Sequence, residues 1–254
     1  MAKTGRAFDF TKPEGSEIIF APTNINILSM TLRWRCAQFF ELRWWKNYLN
    51  SRDKSEYLHW KKSYWLDFLK NSGLRLSPGA GVLDAGCGPA GIFTILNDYK
   101  VDAVDPLLDQ YAGLLPHFQP DDYPYVRFFS QTLESFFPAK RYDVVFCLNA
   151  INHVANLDNS LDRLVALVQP GGYLIISIDT HNYPWIRYLF QRLPADILHP
   201  HQFTCAEYAK MLTTRGLLIE RTILIKKSGI FNYYLFVARA ALPVNPAIRA
   251  SDSA

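Results

Sequence analysis

Gly81-Val82-Leu83-Asp84-Ala85-Gly86-Cys87-Gly88-Pro89-Ala90-Gly91 runs from an apolar strand into a glycine-rich turn, and Ile92-Phe93-Thr94-Ile95-Leu96 continues it in a helical register. The glycines at 86, 88 and 91 have the Gly-x-Gly-x-x-Gly spacing, in which a tight turn lets a ligand approach the backbone and the start of the next helix. Alone, that spacing is a weak signal. Its surroundings strengthen it, because a strand precedes, a helix follows, and Asp105 closes the next apolar run nineteen residues after Gly86. A carboxylate there can accept two hydrogen bonds from the ribose hydroxyls of an adenosine ligand.

Outward from this turn, apolar runs at Val101 to Val104, Tyr125 to Phe129, Tyr142 to Leu148 and Tyr173 to Ile178 predict further strands. Helical stretches separate them at Ile92 to Asp98, Leu107 to Leu114, near Leu133, and at Leu157 to Val168. Strands alternating with helices imply a parallel sheet covered on both faces, an α/β fold. The rhythm breaks after a helix at Cys205 to Thr214. Strands at Leu217 to Ile225 and Tyr233 to Arg239 are joined by a turn at Lys227-Ser228-Gly229, too short for anything but an antiparallel pair.

Asp84 divides the ligand classes that such a turn can hold. A diphosphate beside a carboxylate is electrostatically awkward, whereas a ligand carrying an ammonium and a sulfonium is attracted to one. Here the segment resembles the class I S-adenosylmethionine-dependent methyltransferases, in their small-molecule, type 11-like form, whose first motif reads Val-Leu-Asp-x-Gly-Cys-Gly-x-Gly. The inserted step Pro89-Ala90 before Gly91 departs from that pattern. Tyr142-Asp143-Val144-Val145-Phe146-Cys147-Leu148-Asn149 is similar to the family's fourth strand, and Gln169-Pro170-Gly171-Gly172 to the turn before its fifth. The resemblance covers about residues 78 to 240. It implies a Rossmann-like seven-stranded sheet with an antiparallel last strand, in a three-layer αβα arrangement.

The same resemblance implies S-adenosyl-L-methionine as cofactor, with Asp84, Gly86, Cys87 and Gly88 at its methionine end and Asp105 at the ribose. Leu107 is expected against adenine, Gln131 and Thr132 near the adenine amine, and Asn149 near the methionine portion or the transferred methyl group. Methyl transfer from a sulfonium needs alignment, exclusion of water and, for some acceptors, a base. Candidate bases are His153, His181 and His201, all in regions that follow strands; each is equally readable as a structural histidine. The histidines lack metal-ligand spacing, so no metal is expected. Cys36, Cys87, Cys147 and Cys205 form no CxxC pair and read as free thiols.

Composition bounds the rest. The 254 residues are 49% hydrophobic and 20% charged, which excludes whole-chain disorder. The net charge is +4, and residues 1–70 hold twelve Lys and Arg against seven Asp and Glu. So weak and dispersed a surplus argues against nucleic acid, as does the lack of an Asn-Pro-Pro-Tyr or Pro-Cys signature after the fourth strand. No apolar run approaches membrane-span length and no signal-peptide core is present, so the chain reads as cytoplasmic.

Four segments are expected: an arm over 1–25, a helical cap over 26–75, the methyltransferase domain over 76–241, and a frayed tail over 242–254. Five of the six tryptophans, Trp34, Trp44, Trp45, Trp60 and Trp65, fall in the cap. They either pack the helices onto the main domain or line a pocket. The reading is a methyltransferase acting on O or N of a small, partly apolar or aromatic acceptor. Its rivals are an NAD(P)-dependent oxidoreductase using the same turn and a non-catalytic cofactor-binding interaction protein.

Overall fold

The computed structural model describes residues 18–19, 32–181, 203–229 and 231–242. Two long helices come first, α1 (Leu32–Asn50) and α2 (Lys54–Ser72). They separate where Asp53 leaves helical geometry and its carboxylate accepts the Glu56 N–H at 3.0 Å, an N-cap. Gly73, at φ 63°, closes α2 in the left-handed conformation that a side chain would resist.

The sheet follows the expected alternation. Its strands are β1 (Ile18–Ile19), β2 (Gly81–Ala85), β3 (Lys100–Val104), β4 (Val126–Phe129), β5 (Tyr142–Leu148), β6 (Val168–His181), β7 (Leu217–Lys226) and β8 (Phe231–Ala240). The spatial order is β1-β4-β3-β2-β5-β6-β8-β7, parallel from β1 to β6, with β8 antiparallel between β6 and β7. The helices α3 (Leu108–Leu114), α4 (Leu157–Leu167) and α5 (Cys205–Thr213) complete the layers.

Strand alternation divides the core into two clusters. Val82, Val144 and Ile175 face one side with Phe93, Tyr111 and Phe128, while their neighbours Leu83, Val145 and Ile176 face the other with Leu161, Leu164 and Leu212. Tyr57, Trp65 and Phe68 of α2 belong to the first cluster. The cap is thus part of a core layer as well as a cover.

Three expectations change. The helix read over Ile92 to Asp98 is only a 3₁₀ turn, Ile92–Ile95, in which the Thr94 N–H reaches the Gly91 carbonyl at 3.2 Å and the Leu96 N–H the Phe93 carbonyl at 3.1 Å, while the Asp84 carboxylate accepts the Phe93 N–H at 3.0 Å. Within the segment read as a loose arm, Ile18–Ile19 pairs with Phe128 and Phe129 as an edge strand. The fifth family strand starts earlier, at Val168, and its register against β5 shifts around Gly171, where φ is 77°. The tail from residue 243 lies outside the described residues. Among the described residues no helix is long and apolar enough to cross a membrane.

Candidate active site

A cavity of about 660 Å³ lies over the carboxyl ends of the parallel strands, floored by the glycine turn and roofed by α1 and α2. Its size falls within the roughly 300–1,000 Å³ of small-molecule sites. The floor follows from backbone geometry. Gly86 and Gly88 have φ of 70° and 56°, and the Gly86 and Cys87 N–H groups both turn back to the Val104 carbonyl, at 2.7 and 3.3 Å. A Cβ on Gly86 would collide with the Ala150 methyl, so the turn is pressed against the segment after β5.

Asp105 closes the adjacent strand and lines the cavity. Its carboxylate accepts the Gly88 N–H at 3.0 Å and the Leu107 N–H at 2.9 Å, which fixes the loop and leaves lone pairs for a ligand. Burial pushes its pKa up to about 6 against those two bonds. Asp84 lies elsewhere, beneath the turn and outside the cavity wall. Burial raises its pKa to about 7, opposed by the Phe93 N–H and raised further by the charge of Asp105. Gly91 is where it is because a Cβ there would strike the Asp84 carboxylate and the Cys87 carbonyl.

Of the residues assigned to a cofactor, Gly86, Cys87, Gly88 and Asp105 line the cavity, as do Gln131, Thr132 and Asn149. Leu107 is buried outside the wall and contributes its backbone N–H to Asp105. Asn149 holds a left-handed backbone, φ 54°, the one positive φ among the described non-glycine residues. Such a conformation at the end of a strand over a cavity is a mark of functional sites. Its N–H meets both the carbonyl and the hydroxyl of Ser177, at 2.8 and 3.1 Å.

His153 also lines the cavity, and its carbonyl accepts the Trp34 indole N–H at 3.1 Å, which ties α1 to this loop. His181 ends β6 with only its backbone described, and His201, with the aromatic segment Tyr183, Trp185 and Tyr188, lies outside the described residues.

The roof joins tryptophans singled out in the sequence to residues that were not. Trp45 stands 3.9 Å from where a Gly88 Cβ would sit, and the Trp65 indole donates to the Ala90 carbonyl at 3.0 Å. Lys61 holds its ammonium over the Trp65 ring at 4.6 Å and the Tyr64 ring at 5.0 Å. Burial lowers its pKa to about 8, with the charge of Asp84 opposing the shift. Asp179 and Tyr233 line the wall from β6 and β8. The aromatic richness of residues 26–72 left packing and pocket lining both open, and these rings do both; no local signal marked Lys61, Asp179 or Tyr233.

These features fit an adenosyl sulfonium ligand. Carboxylates at and beneath the turn suit a cation, and the short 3₁₀ turn supplies none of the helix dipole that a diphosphate relies on.

The family model described as a methyltransferase domain matches residues 57–221, well over half of the chain. The chain is similar to the ubiquinone biosynthesis O-methyltransferase of Bradyrhizobium sp. (strain ORS 278), with 29% identity over 60% of this chain and 62% of that protein. It is also similar to the ubiquinone biosynthesis O-methyltransferase of Rickettsia prowazekii (strain Madrid E), with 33% identity over 46% of each. The matched part spans less than two thirds of these relatives.

Among solved structures, the N-methyltransferase NodS from Bradyrhizobium japonicum WM9, in complex with S-adenosyl-L-homocysteine, superposes with a TM-score of 0.56 at 13% identity, over 83% of this chain and 99% of that one. The 1,6-didemethyltoxoflavin-N1-methyltransferase of Burkholderia thailandensis gives 0.53 at 19%, over 87% and 94%. At such identities the likeness is one of fold. With the family model spanning most of α2, the glycine turn and the parallel strands from β2 to β6, the chain belongs to the methyltransferase-domain family.

Proposed function

We propose that this chain transfers a methyl group from S-adenosylmethionine to a hydroxyl oxygen of a small, largely apolar aromatic molecule. One observation carries the reading: a single cavity joins the glycine turn and Asp105 on its floor to the aromatic faces of α1 and α2 on its roof. The O-methyltransferase names of the relatives favour oxygen over nitrogen.

When bound, the cofactor supplies an electrophilic methyl on a good leaving group, so the chain mainly orients and desolvates. The Gly86 to Gly88 backbone and Asp105 are assigned to the methionine and ribose portions, and Gln131 and Thr132 to the adenine side. Asn149 is assigned to the neighbourhood of the methyl group. Asp84 acts from below by fixing the turn through Phe93. Trp45 and Trp65 close the roof against water. His153 is the sequence-derived candidate for the base.

Calorimetric titration with S-adenosylmethionine and with NADH tests the cofactor; binding of NADH alone would overturn the reading. Release of S-adenosylhomocysteine on addition of substituted phenols and catechols tests the activity. A chain that binds the cofactor and turns over only amines would move the reading to nitrogen.

A further inference from the structure

The acceptor's reacting atom needs polar partners, and most of the roof is aromatic. At the carboxyl end of β6 and the amino end of β8, Asp179 and Tyr233 are directly opposed in the antiparallel ladder, so their side chains stand together on one face, and both line the cavity. Ser177, two residues before Asp179 on the same face, is fully buried and lies 2.6 Å from the Tyr233 hydroxyl. Tyr64, from α2, lines the same cavity, and the charge of Asp179 acts on both phenols.

These contacts form a polarised chain. The Asn149 N–H donates to Ser177 Oγ, whose own hydrogen is then available to Tyr233, which leaves the Tyr233 O–H to donate towards the cavity that Tyr64 also lines. Burial, reinforced by Asp179, raises the pKa of Tyr64 and Tyr233, so both remain protonated donors. Beside them Asp179 offers only acceptors. One donor next to one acceptor matches a neutral hydroxyl, which needs both. A protonated amine would leave the donor without a partner, and a carboxylate would be repelled by Asp179.

We propose that Tyr64, Tyr233 and Asp179 form the subsite that holds the acceptor's reacting hydroxyl, with Asp179, in place of the sequence-derived candidate His153, receiving its proton. The inference rests on the methyltransferase reading of the same cavity. The acceptor O–H bond breaks with its proton passing to the Asp179 carboxylate. The oxygen pair forms the new C–O bond to the methyl carbon, and the S–C pair returns to sulfur, leaving neutral S-adenosylhomocysteine. Tyr64 and Tyr233 stabilise the charge that develops on oxygen, and Ser177 positions Tyr233.

The test uses the full chain with 4-nitrocatechol, whose visible absorbance reports its ionisation. Wild type, Tyr233→Phe and Asp179→Asn are compared for S-adenosylhomocysteine affinity, kcat and KM, and the spectrum of bound 4-nitrocatechol. Expected are unchanged S-adenosylhomocysteine affinity in all three, a fall in kcat of about a hundredfold or more in Asp179→Asn, and a rise in KM of about tenfold in Tyr233→Phe. The absorbance of bound probe should also shift towards the ionised form in Asp179→Asn, because the neighbouring negative charge that opposes ionisation is gone.

Retained kcat, KM and spectrum in both variants would overturn the subsite, as would loss of S-adenosylhomocysteine binding in both, which would make these residues structural. If the wild type binds S-adenosylmethionine but neither binds nor methylates the probe, the hydroxyl acceptor falls together with its subsite. If it does not bind S-adenosylmethionine, the methyltransferase reading itself fails.

Discussion

Asp84 and Asp105 are both buried carboxylates near one turn, yet their duties differ. Asp105 lines the cavity, and Asp105→Ala is expected to weaken S-adenosylmethionine binding by about 1–3 kcal/mol in calorimetry, through lost charged hydrogen bonds. Asp84 sits under the turn, with its pKa raised from 3.8 to about 7. Between those values the folded chain holds the proton that the unfolded chain has already released, so folding stability falls as pH rises through the window and levels off above it. Asp84→Asn removes this titration. The variant is therefore expected to gain stability over wild type on going from pH 5 to pH 8, by up to roughly 3 kcal/mol for the two pKa units between pH 5 and the folded value, read as a shift in denaturant midpoints.

Asp105 and the glycines were legible because the turn fixes their spacing within one short segment. Lys61, Asp179 and Tyr233 were not. They come from distant parts of the chain and meet only through the sheet order and the way α2 lies over it.

At the scale of elements, the contact between α2 and the turn matters most. Trp65 is buried, and its indole holds the Ala90 carbonyl just before Gly91. Trp65→Phe keeps the ring packing but orphans a buried carbonyl, so a loss of about 1–3 kcal/mol in stability is expected in urea melts. Weaker S-adenosylhomocysteine binding should accompany it, because the same carbonyl belongs to the floor of the cavity.

The apolar periodicity of Ile92 to Leu96 suggested a longer helix than forms. Sequence pattern reports which side chains are buried; it could not reveal that a carboxylate nine residues earlier binds the Phe93 N–H or that the turn closes with three-residue bonds. The strands fared better, since period-two alternation and burial on both faces point the same way.

For the molecule as a whole, the cap and the sheet share one core. Tyr57, Trp65 and Phe68 are each less than 7% exposed and pack with Phe93, Leu96 and Tyr111. Burying three such side chains is worth about 5–9 kcal/mol, against a total stability of about 5–15 kcal/mol for an ordinary domain. A fragment beginning at residue 76 is accordingly expected to lack a cooperative melt by circular dichroism. Arg221 of β7 ties the same helix from its far end, donating to the Ser72 carbonyl at 2.9 Å. Composition announced the aromatic surplus of the first seventy residues but not its integration, which depends on long-range packing.

That integration has an optical consequence. Trp44, Trp45, Trp60 and Trp65 all border the cavity, so most of the protein's indole emission originates within van der Waals range of whatever enters. Near-ultraviolet fluorescence is therefore an intrinsic, label-free gauge of occupancy, with the Lys61 ammonium at 4.6 Å from one indole as a built-in charge probe.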